Sequence, residues 1–411
     1  MKILMITPYV TINTRKEFTR NKTGFGYMVY DIAKSVGELE DVDVLCTDSR
    51  GEGFEMEGVK YLQRSFILFA KLLFQGVSLG IVIRMWRKYH ISKGLLIRMV
   101  YYWIMSGYIV SLLKKNRYDI VHIHQSVYET ELWMAVCNKA NINFLVTLHG
   151  LNSFSDTVKL EAGGKLYERD MLQRVVNGEF PITVISSGML RTIEKTYHVA
   201  ERENISVVCN AFSFAGNKEK YIDVRLLYSI PPNAKIILYA GNISQNKNQV
   251  QLVRAFDLMR SELCENTWVL FCGLDLSYGD VLRESIIASQ YSKHFILCGG
   301  VNKERMPSYF KAADGVVLLS VAEGFGLSLI EGMHFGKPCM MFSDLDAFED
   351  IYNEKAVIAI DKRTDNAVAE GVEMLLGKEW IEEEIRAWSI KFESSTMAYN
   401  YINTYKKILA V

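Results

Sequence analysis

Residues 316–341 have the sequence VVLLSVAEGFGLSLIEGMHFGKPCMM, the clearest indication of fold in the chain. It predicts a buried strand that ends at Ser320, a tight glycine loop, and a helix that begins near Leu327. Gly324 and Gly326 let the loop backbone approach a ligand closely, and the free N–H groups at the start of a helix attract an anion. The segment therefore indicates an α/β sheet with an anion-binding edge.

Two carboxylates frame this loop. Glu323 lies on the loop itself, and Glu331 lies about one turn inside the helix. Both can face a ligand in the crevice at the carboxyl edge of the strands, where open α/β sheets bind ligands. Each carboxylate accepts two hydrogen bonds, which suits the vicinal hydroxyls of a ribose or hexose. The alternative is a pair of solvated helix-end acids, but the full string E-G-F-G-L-S-L-I-E-G favours a binding site.

Apolar strand-like runs alternate with helical stretches along the whole chain. The first half has KILMITP, DVDVLCT, DIVHIH, FLVTLHG and ITVISS, and the second half has KIILYAG, TWVLFCG, HFILCGG, DGVVLLS and KPCMMFS. Continuous apolar strands between helices indicate parallel sheets covered on both faces. Two such series in 411 residues predict two doubly wound α/β domains, with the break between residues 205 and 233.

Composition narrows the class of protein. Hydrophobic residues make up 49% and charged residues 23%, enough for two packed cores. The seven cysteines form no C-x-x-C pair and are expected to be buried free thiols in a reducing compartment. MKILMITPYV is expected to be a first strand rather than a signal peptide, and Met99–Leu113 is too short to span a bilayer. These features predict a cytoplasmic protein.

The acid motif resembles the E-x7-E signature of the family-4 retaining glycosyltransferases, which have the GT-B fold. TGFGYMVYDIAKSV, DIVHIH, VTLHG, VVCNAF, YAGNISQNKNQVQLVRAF and FESSTMAYNYINTYKKIL are also similar to elements of that family. The resemblance implies an acceptor-binding Rossmann-like domain at 1–205 and a nucleotide-sugar-binding one at 206–390, facing each other across a cleft. It further implies that 391–411 is a helix crossing back to the first domain.

The same resemblance implies roles for individual residues. Glu331 would bind the nucleotide ribose, Glu323 the donor sugar, and Lys247 would neutralise the leaving diphosphate. His149 would contact the donor sugar and support the transition state. The other implied donor-binding positions are Gly324, Phe325, Gly326, Leu327, Asn242, Gly24, Gly26 and Val301. The alternatives are that Lys247 is a surface lysine, that His149 is a hydrogen-bonded loop histidine, and that the first glycines mark an ordinary helix entry.

One position departs from the family pattern. Asn242 stands where the family has an arginine, in G-R-x-x-x-x-K, and an amide cannot supply a bidentate cation. Arg305 and Arg254 are the candidates to replace it. Of His122 and His124, at least one is expected to be structural.

A basic, aromatic segment spans residues 60–117. It contains eleven cations and no Asp or Glu, so the rest of this neutral chain carries a net charge of −11. Basic helices with interleaved Trp and Tyr can lie at an anionic membrane surface. The alternative is a pair of core helices whose cations point to water. No nucleic-acid-binding module is visible.

The sequence therefore predicts an enzyme that transfers a hexose or N-acetylhexosamine from a nucleotide-diphosphate sugar, with a UDP-sugar favoured, to a glycan or lipid-linked saccharide. A protein of this fold that acts as a glycan-assembly or membrane scaffold, or as a sugar-nucleotide epimerase, is the alternative. No D-x-D motif occurs in a suitable place, so we expect neither a metal nor another cofactor to be required.

Overall fold

A computed structural model describes residues 1–12, 14–15, 24–49, 52–62, 73–125, 127–154, 160–200, 202–212 and 221–410. The chain forms two compact units: unit 1 is Met1–Asn210 with Ser394–Val411, and unit 2 is Ala211–Glu393. The first unit thus extends a few residues beyond the predicted boundary, because a last strand at Ile205–Val207 joins its sheet.

Unit 1 is built on an eight-stranded sheet. Its strands are β1 (Lys2–Thr7), β2 (Asp41–Cys46), β3 (Phe54–Met56), β4 (Val59–Tyr61), β5 (Ile120–Ile123), β6 (Asn143–Leu148), β7 (Ile182–Val184) and β8 (Ile205–Val207). The strand order is β3-β4-β2-β1-β5-β6-β7-β8, and every pairing is parallel except β3 with β4. The central strands are buried along almost their whole length, as expected for strands with helices on both faces.

The helices of unit 1 connect these strands. They are α1 (Gly24–Gly37), α2 (Gly80–Tyr89), α3 (Lys93–Asn116), α4 (Glu129–Ala140), α5 (Ala162–Val176), α6 (Ser187–Tyr197) and the C-terminal helix α16 (Ser394–Leu409). The C-terminal helix packs on α1 and buries Tyr401 and Tyr405 completely. The apolar and aromatic spacing near the end of the sequence is therefore the buried face of this helix.

Unit 2 has a six-stranded parallel sheet of order β11-β10-β9-β12-β13-β14. Its strands are β9 (Lys235–Ala240), β10 (Thr267–Cys272), β11 (Phe295–Gly299), β12 (Gly315–Leu318), β13 (Cys339–Phe342) and β14 (Val357–Ile360). Its helices are α7 (Val224–Leu227), α8 (Gln249–Phe256), α9 (Ser261–Glu265), α10 (Gly279–Ala288), α11 (Met306–Ala312), α12 (Leu327–His334), α13 (Phe348–Ile351), α14 (Asp365–Gly377) and α15 (Glu382–Ser389).

The strand order of unit 2 reverses at its centre. The chain runs from β9 outward to β10 and β11 on one side, then returns to place β12 on the other side of β9. Such a reversal opens a crevice between the loops at the carboxyl ends of the two strands. The loops after β9 and β12, which contain Lys247 and Glu323, therefore flank the natural ligand site of this sheet.

Helix α3 is longer than the apolar stretch in the sequence indicates. It has 24 residues, and among the described helices it is the one that is long and apolar enough to cross a membrane. The prediction that this region is too short was therefore wrong on length. Its side chains, however, pack within unit 1: Tyr102 lies edge-on to Trp133, and Ser106 accepts a hydrogen bond from the Val77 N–H. Such packing is typical of a core helix.

All seven cysteines are free thiols, as the sequence predicts, but only five are buried, whereas Cys209 and Cys298 are half-buried.

Candidate active site

The loop between β12 and α12 contains Glu323 and is called the acid loop below. It leads into α12 through a backbone turn that requires glycine. Gly326 has φ +90°, a left-handed conformation, and a Cβ there would lie 3.1 Å from a methyl group of Leu318. The helix begins at the next residue, Leu327, as predicted. Phe325 is buried against Phe392, so only its backbone is left to contact a ligand.

Glu323 and Lys247 contact each other at the crevice between β9 and β12. The Lys247 ammonium donates to Oε2 of Glu323, which also accepts a hydrogen bond from the Ser320 hydroxyl at 3.1 Å. Both charged side chains are half-buried. The two residues chosen from the sequence as a sugar-contacting acid and a diphosphate-neutralising cation are thus neighbours, although 76 residues separate them in the chain.

Asn246 ties the loops of these two residues together. Its carbonyl accepts a hydrogen bond from the Val321 N–H at 2.7 Å. Its side-chain amide donates to the Ala322 carbonyl at 2.8 Å and accepts from the Ala322 N–H at 3.1 Å. The residue before Lys247 is therefore fixed to the residue before Glu323, and the two loops are held in register.

Arg363 holds the acid loop from another side. Its guanidinium donates to the carbonyls of Ser320 and Val321, at 2.9 and 3.1 Å, and makes a bidentate pair with Asp344 at 2.8 and 2.7 Å. It also lies over the ring of Phe342. The five N–H donors of an arginine suit such a multiple contact. This residue could not be predicted from the sequence, because it follows β14, a strand that was not among those predicted.

Asn242, which stands where the family has an arginine, makes a structural hydrogen bond. Its side-chain oxygen accepts a hydrogen bond from the Leu274 N–H at 3.0 Å, and this bond joins the loops after β9 and β10. Of the two cations considered as replacements, Arg254 is engaged in a bidentate pair with Asp365 at 2.8 and 3.2 Å. Arg305 precedes α11, in the loop after β11, which is two strands away from β9. Neither lies in the loop that contains Asn242 and Lys247.

Two further predicted donor-binding positions, Glu331 and Val301, also belong to unit 2. Glu331 is half-buried in the middle of α12, at the fifth of its eight residues. Val301 is half-buried two residues after β11. The part of the chain that the structure describes has no group of three or more His, Cys, Asp or Glu side chains that could hold a metal ion.

In unit 1, three histidines meet at the carboxyl edge of neighbouring parallel strands. His122 is on β5, His124 follows β5, and His149 follows β6. The rings of His122 and His124 have centroids 3.8 Å apart, and a hydrogen bond of 3.3 Å joins Nδ1 of His124 to Nε2 of His149. Both nitrogens of His122 are also bonded, Nδ1 to the Tyr405 hydroxyl at 2.7 Å and Nε2 to the Thr147 hydroxyl at 2.6 Å.

Burial controls the charge of these histidines. It lowers the pKa of His149 to about 4. Burial and the neighbouring rings place the pKa of His122 and of His124 well below the usual value. All three imidazoles are therefore neutral at pH 7, and each has one N–H donor and one acceptor nitrogen.

Gly24 and Gly26 were predicted to lie in the first strand-to-helix loop, but they lie in the first turn of α1, and they differ in what the fold requires. A Cβ on Gly26 would lie 2.3 Å from the Thr11 hydroxyl, and the Gly26 carbonyl accepts a hydrogen bond from the Thr11 N–H at 3.0 Å. Among the described residues, no atom lies within 4 Å of a Cβ on Gly24. Between them, Phe25 packs edge-on against His149, with ring centroids 5.0 Å apart.

Two family models match the chain in turn. "Glycosyltransferase Family 4" matches residues 23–214, and "Glycosyl transferases group 1" matches residues 227–390. An uncharacterized glycosyltransferase of Methanocaldococcus jannaschii is 22% identical over 315 residues, covering 72% of this chain and 77% of that protein. The Bacillus subtilis protein TuaC, a putative teichuronic acid biosynthesis glycosyltransferase, is 20% identical over 270 residues, 66% of this chain and 64% of its own length.

Solved structures share the fold over the full length. Anabaena HepE, whose crystal structure contains UDP and glucose, superimposes with a TM-score of 0.69 at 15% identity, covering 99% of this chain and all of that one.

Proposed function

Because this chain belongs to the GT4-type glycosyltransferases with a GT-B fold, we propose that it is a retaining enzyme that uses a nucleotide-diphosphate sugar. The observation that carries the proposal is the contact of Lys247 with Glu323 in the crevice between β9 and β12. We further propose that the donor is a UDP-sugar carrying a hexose or N-acetylhexosamine. The acceptor is a glycan or a lipid-linked saccharide. A scaffold without turnover or an epimerase is not favoured, since the matching families are transferases.

In this proposal Lys247 stabilises the leaving group. Negative charge builds on the diphosphate as the bond to the sugar breaks, so a fixed cation stabilises the transition state more than the ground state. The N-terminus of α12 carries a partial positive charge, and its free backbone N–H groups can donate hydrogen bonds to the same diphosphate. In the absence of a donor the ammonium is held by Glu323. The diphosphate would therefore replace Glu323 as the partner of the Lys247 ammonium, which is already in position.

The two acids have separate parts in this proposal. Glu331, half-buried in α12, binds the ribose hydroxyls, and Glu323, at the mouth of the loop, contacts the donor sugar. Asn246 and Arg363 fix the loop backbone, so Glu323 does not have to be ordered when the donor arrives. His149 contributes a neutral hydrogen-bonding group to the donor sugar.

The chemical step needs no dedicated protein base. The bond between the anomeric carbon and the diphosphate oxygen breaks, and the acceptor oxygen forms its bond to the same carbon from the same face. The acceptor hydroxyl proton passes to the leaving diphosphate. In this step Glu323 exchanges no proton and forms no covalent bond; it orients the donor sugar and stabilises charge on it. We expect turnover without a divalent cation, so the rate should survive dialysis against EDTA.

Names of similar proteins support the choice of substrates. HepE was crystallised with UDP and glucose, and TuaC is named for teichuronic acid biosynthesis. A UDP-sugar donor and a growing cell-surface polysaccharide are the corresponding proposals for this chain.

A donor panel tests the proposal directly. The purified protein is heated with UDP-, GDP- and ADP-sugars, and the preferred donor should raise the melting temperature, since ligand stabilisation follows RT ln(1 + [L]/Kd). Release of the nucleoside diphosphate is then measured with and without acceptor. A nucleotide sugar that stabilises the protein but never releases its diphosphate would favour the scaffold. If no sugar nucleotide stabilises the protein, the proposal is wrong.

We also propose that this is a cytoplasmic protein that contacts the inner face of the cell membrane through a patch around α2. The patch exposes five large apolar side chains: Phe74, Leu79, Ile83, Trp86 and Ile97. Three exposed cations accompany them, none of which makes an ion pair with a described residue: Arg84, Arg87 and Lys93. Each cation near an anionic surface contributes about 1 kcal/mol.

The structure reduces the charge that the sequence assigns to this segment. Lys88 is paired with Asp170 at 2.8 Å, and Arg98 with Asp48 and Glu129 at 3.1 and 3.0 Å. Arg64 and Lys71 lie outside the described residues. The membrane proposal therefore rests on the α2 patch alone.

Flotation with anionic vesicles tests the α2 patch. We expect the wild type to float and a double reversal, R84E with R87E, to remain with the soluble fraction. The matched control is K114E with K115E, which changes the charge equally at the far end of α3, about 30 Å along a helix of this length. Equal flotation of both variants and the wild type, or no flotation at all, would rule the contact out.

A further inference from the structure

We propose that His124 is a positioning residue that selects the tautomer of His149, so that His149 presents Nδ1–H as a hydrogen-bond donor to the donor substrate. The inference rests on the proposed function for the contact of His149 with the substrate. It assigns a task to a buried histidine that lies behind the site.

The proton count between the two rings leaves two arrangements. Both imidazoles are neutral, so the 3.3 Å hydrogen bond between Nδ1 of His124 and Nε2 of His149 contains a single proton. Either His124 donates from Nδ1, or His149 donates from Nε2. The two arrangements leave His149 with opposite functional groups on its other nitrogen.

The buried side of His124 decides between them. Its Nε2 atom is buried and has no hydrogen-bond partner among the described residues. If the proton of His124 were on Nε2, a buried N–H would be left without an acceptor. Orphaned buried N–H groups are rarer than under-satisfied acceptors. The proton is therefore on Nδ1 of His124 and is donated to Nε2 of His149.

It follows that His149 is protonated on Nδ1. This nitrogen makes no hydrogen bond with any residue of the described ranges, so it is left for a ligand. A neutral N–H donor suits a sugar oxygen. Because the pKa of His149 is about 4, this donor is uncharged at pH 7.

The rings behind His149 cannot easily rearrange. The His124 ring packs against the His122 ring, with the two planes tilted by 41°, and both nitrogens of His122 are bonded, to Tyr405 and Thr147. On its other side His149 meets the edge of the Phe25 ring. The tautomer of His149 is thus set by a series of contacts that runs from Tyr405 on α16 through His122 and His124 to His149.

Two substitutions separate hydrogen bonding from packing. H124L removes the hydrogen bond and keeps a similar volume, whereas H124N keeps an amide that can donate from about the position of Nδ1. We expect H124L to lower kcat about tenfold with little change in the KM of the donor, and H124N to recover most of the loss. T183V is the matched control: it removes a buried hydroxyl bonded to Thr147 on the adjacent strand without touching His149.

A spectroscopic readout makes the test independent of turnover. Long-range ¹H–¹⁵N spectra of protein labelled in histidine nitrogen report which ring nitrogen is protonated, and H149N assigns the signals of His149. We expect a single Nδ1–H tautomer in the wild type and in T183V, and a mixture of tautomers in H124L.

The outcomes separate this inference from the proposed function. An Nε2–H tautomer of His149 in the wild type, or an H124L protein with unchanged spectrum and kcat, would overturn the inference. If H149A itself retains full turnover, the substrate contact of His149 fails, while the tautomer assignment is still decided by the spectrum.

Discussion

The acid–lysine site of unit 2 and the histidine cluster of unit 1 both place polar side chains at the carboxyl edge of a parallel sheet, but by opposite means. In unit 2 the groups are charged and half-buried, and neighbouring loops fix the backbone around them through many hydrogen bonds. In unit 1 they are neutral, and burial itself suppresses their charge. A charged group in these sites therefore needs a rigid loop, whereas a neutral one needs a defined proton position.

The largest expected effect is the loss of a charge in unit 2. We expect K247A to lower kcat about 10²–10³-fold, as removal of one transition-state-stabilising donor does. E323A should reduce turnover far more than donor affinity. Steady-state kinetics with a donor-binding isotherm measure both. The control is K235A, at the other end of β9, where the lysine pairs with Asp314 at 3.1 Å. Near-normal turnover of both K247A and E323A would show that the charged groups of unit 2 are not needed for catalysis.

A smaller effect should follow when the loop is loosened and the charges are kept. A lysine at 363 cannot serve two carbonyls and a bidentate carboxylate together, so we expect R363K to lower kcat/KM about tenfold, or about 1.4 kcal/mol. R254K is the control, because Arg254 has the same bidentate geometry with Asp365 and contacts no residue of the acid loop. If both variants are equally active, loop fixation does not matter for catalysis.

The smallest effect concerns pH and unit 1. The pKa of each of the three histidines is lower in the folded state than the usual value of about 6.5. The unfolded chain therefore binds more protons as the pH falls through that value, and stability is lost. Between pH 7 and pH 5.5 we expect each histidine to cost about 1 kcal/mol of unfolding free energy.

Denaturant titrations of wild type and H124L at these two pH values measure this term. H124L should lose about 1 kcal/mol less than the wild type over the interval, and T183V, which removes no titrating group, should lose as much as the wild type. An H124L protein with the wild-type pH dependence would contradict the assignment of His124 as a buried neutral base.

How far the sequence predicts the site depends on how local its parts are. The strand, glycine turn and helix around Glu323 lie within one short segment, so their arrangement could be inferred, and the GT-B fold was correctly predicted. Asn246 and Arg363 could not be found in this way, because their partners lie 76 and 43 residues away and only the order of strands brings them together. His124 did have a signal: it and His149 each follow a strand, and the two strands are parallel neighbours.

The short strands show a similar limit. β14 was missed although it has four residues, as the predicted strands β12 and β13 do, and only its pairing with β13 in the fold identifies it. The length of helix α3 was underestimated, because the helix continues at both ends beyond the apolar stretch Met99–Leu113 into polar residues.

The return of the chain to unit 1 after residue 393 has a practical consequence for dissecting the protein. A fragment that stops at Asn210 lacks the segment Ser394–Leu409, and with it the Tyr405 hydroxyl that satisfies His122. Such a fragment would expose the apolar surface on which that segment packs and leave an imidazole nitrogen without its partner. Deletions or bulky fusions at the carboxyl terminus should therefore impair the amino-terminal half first, far from the point of alteration in the sequence.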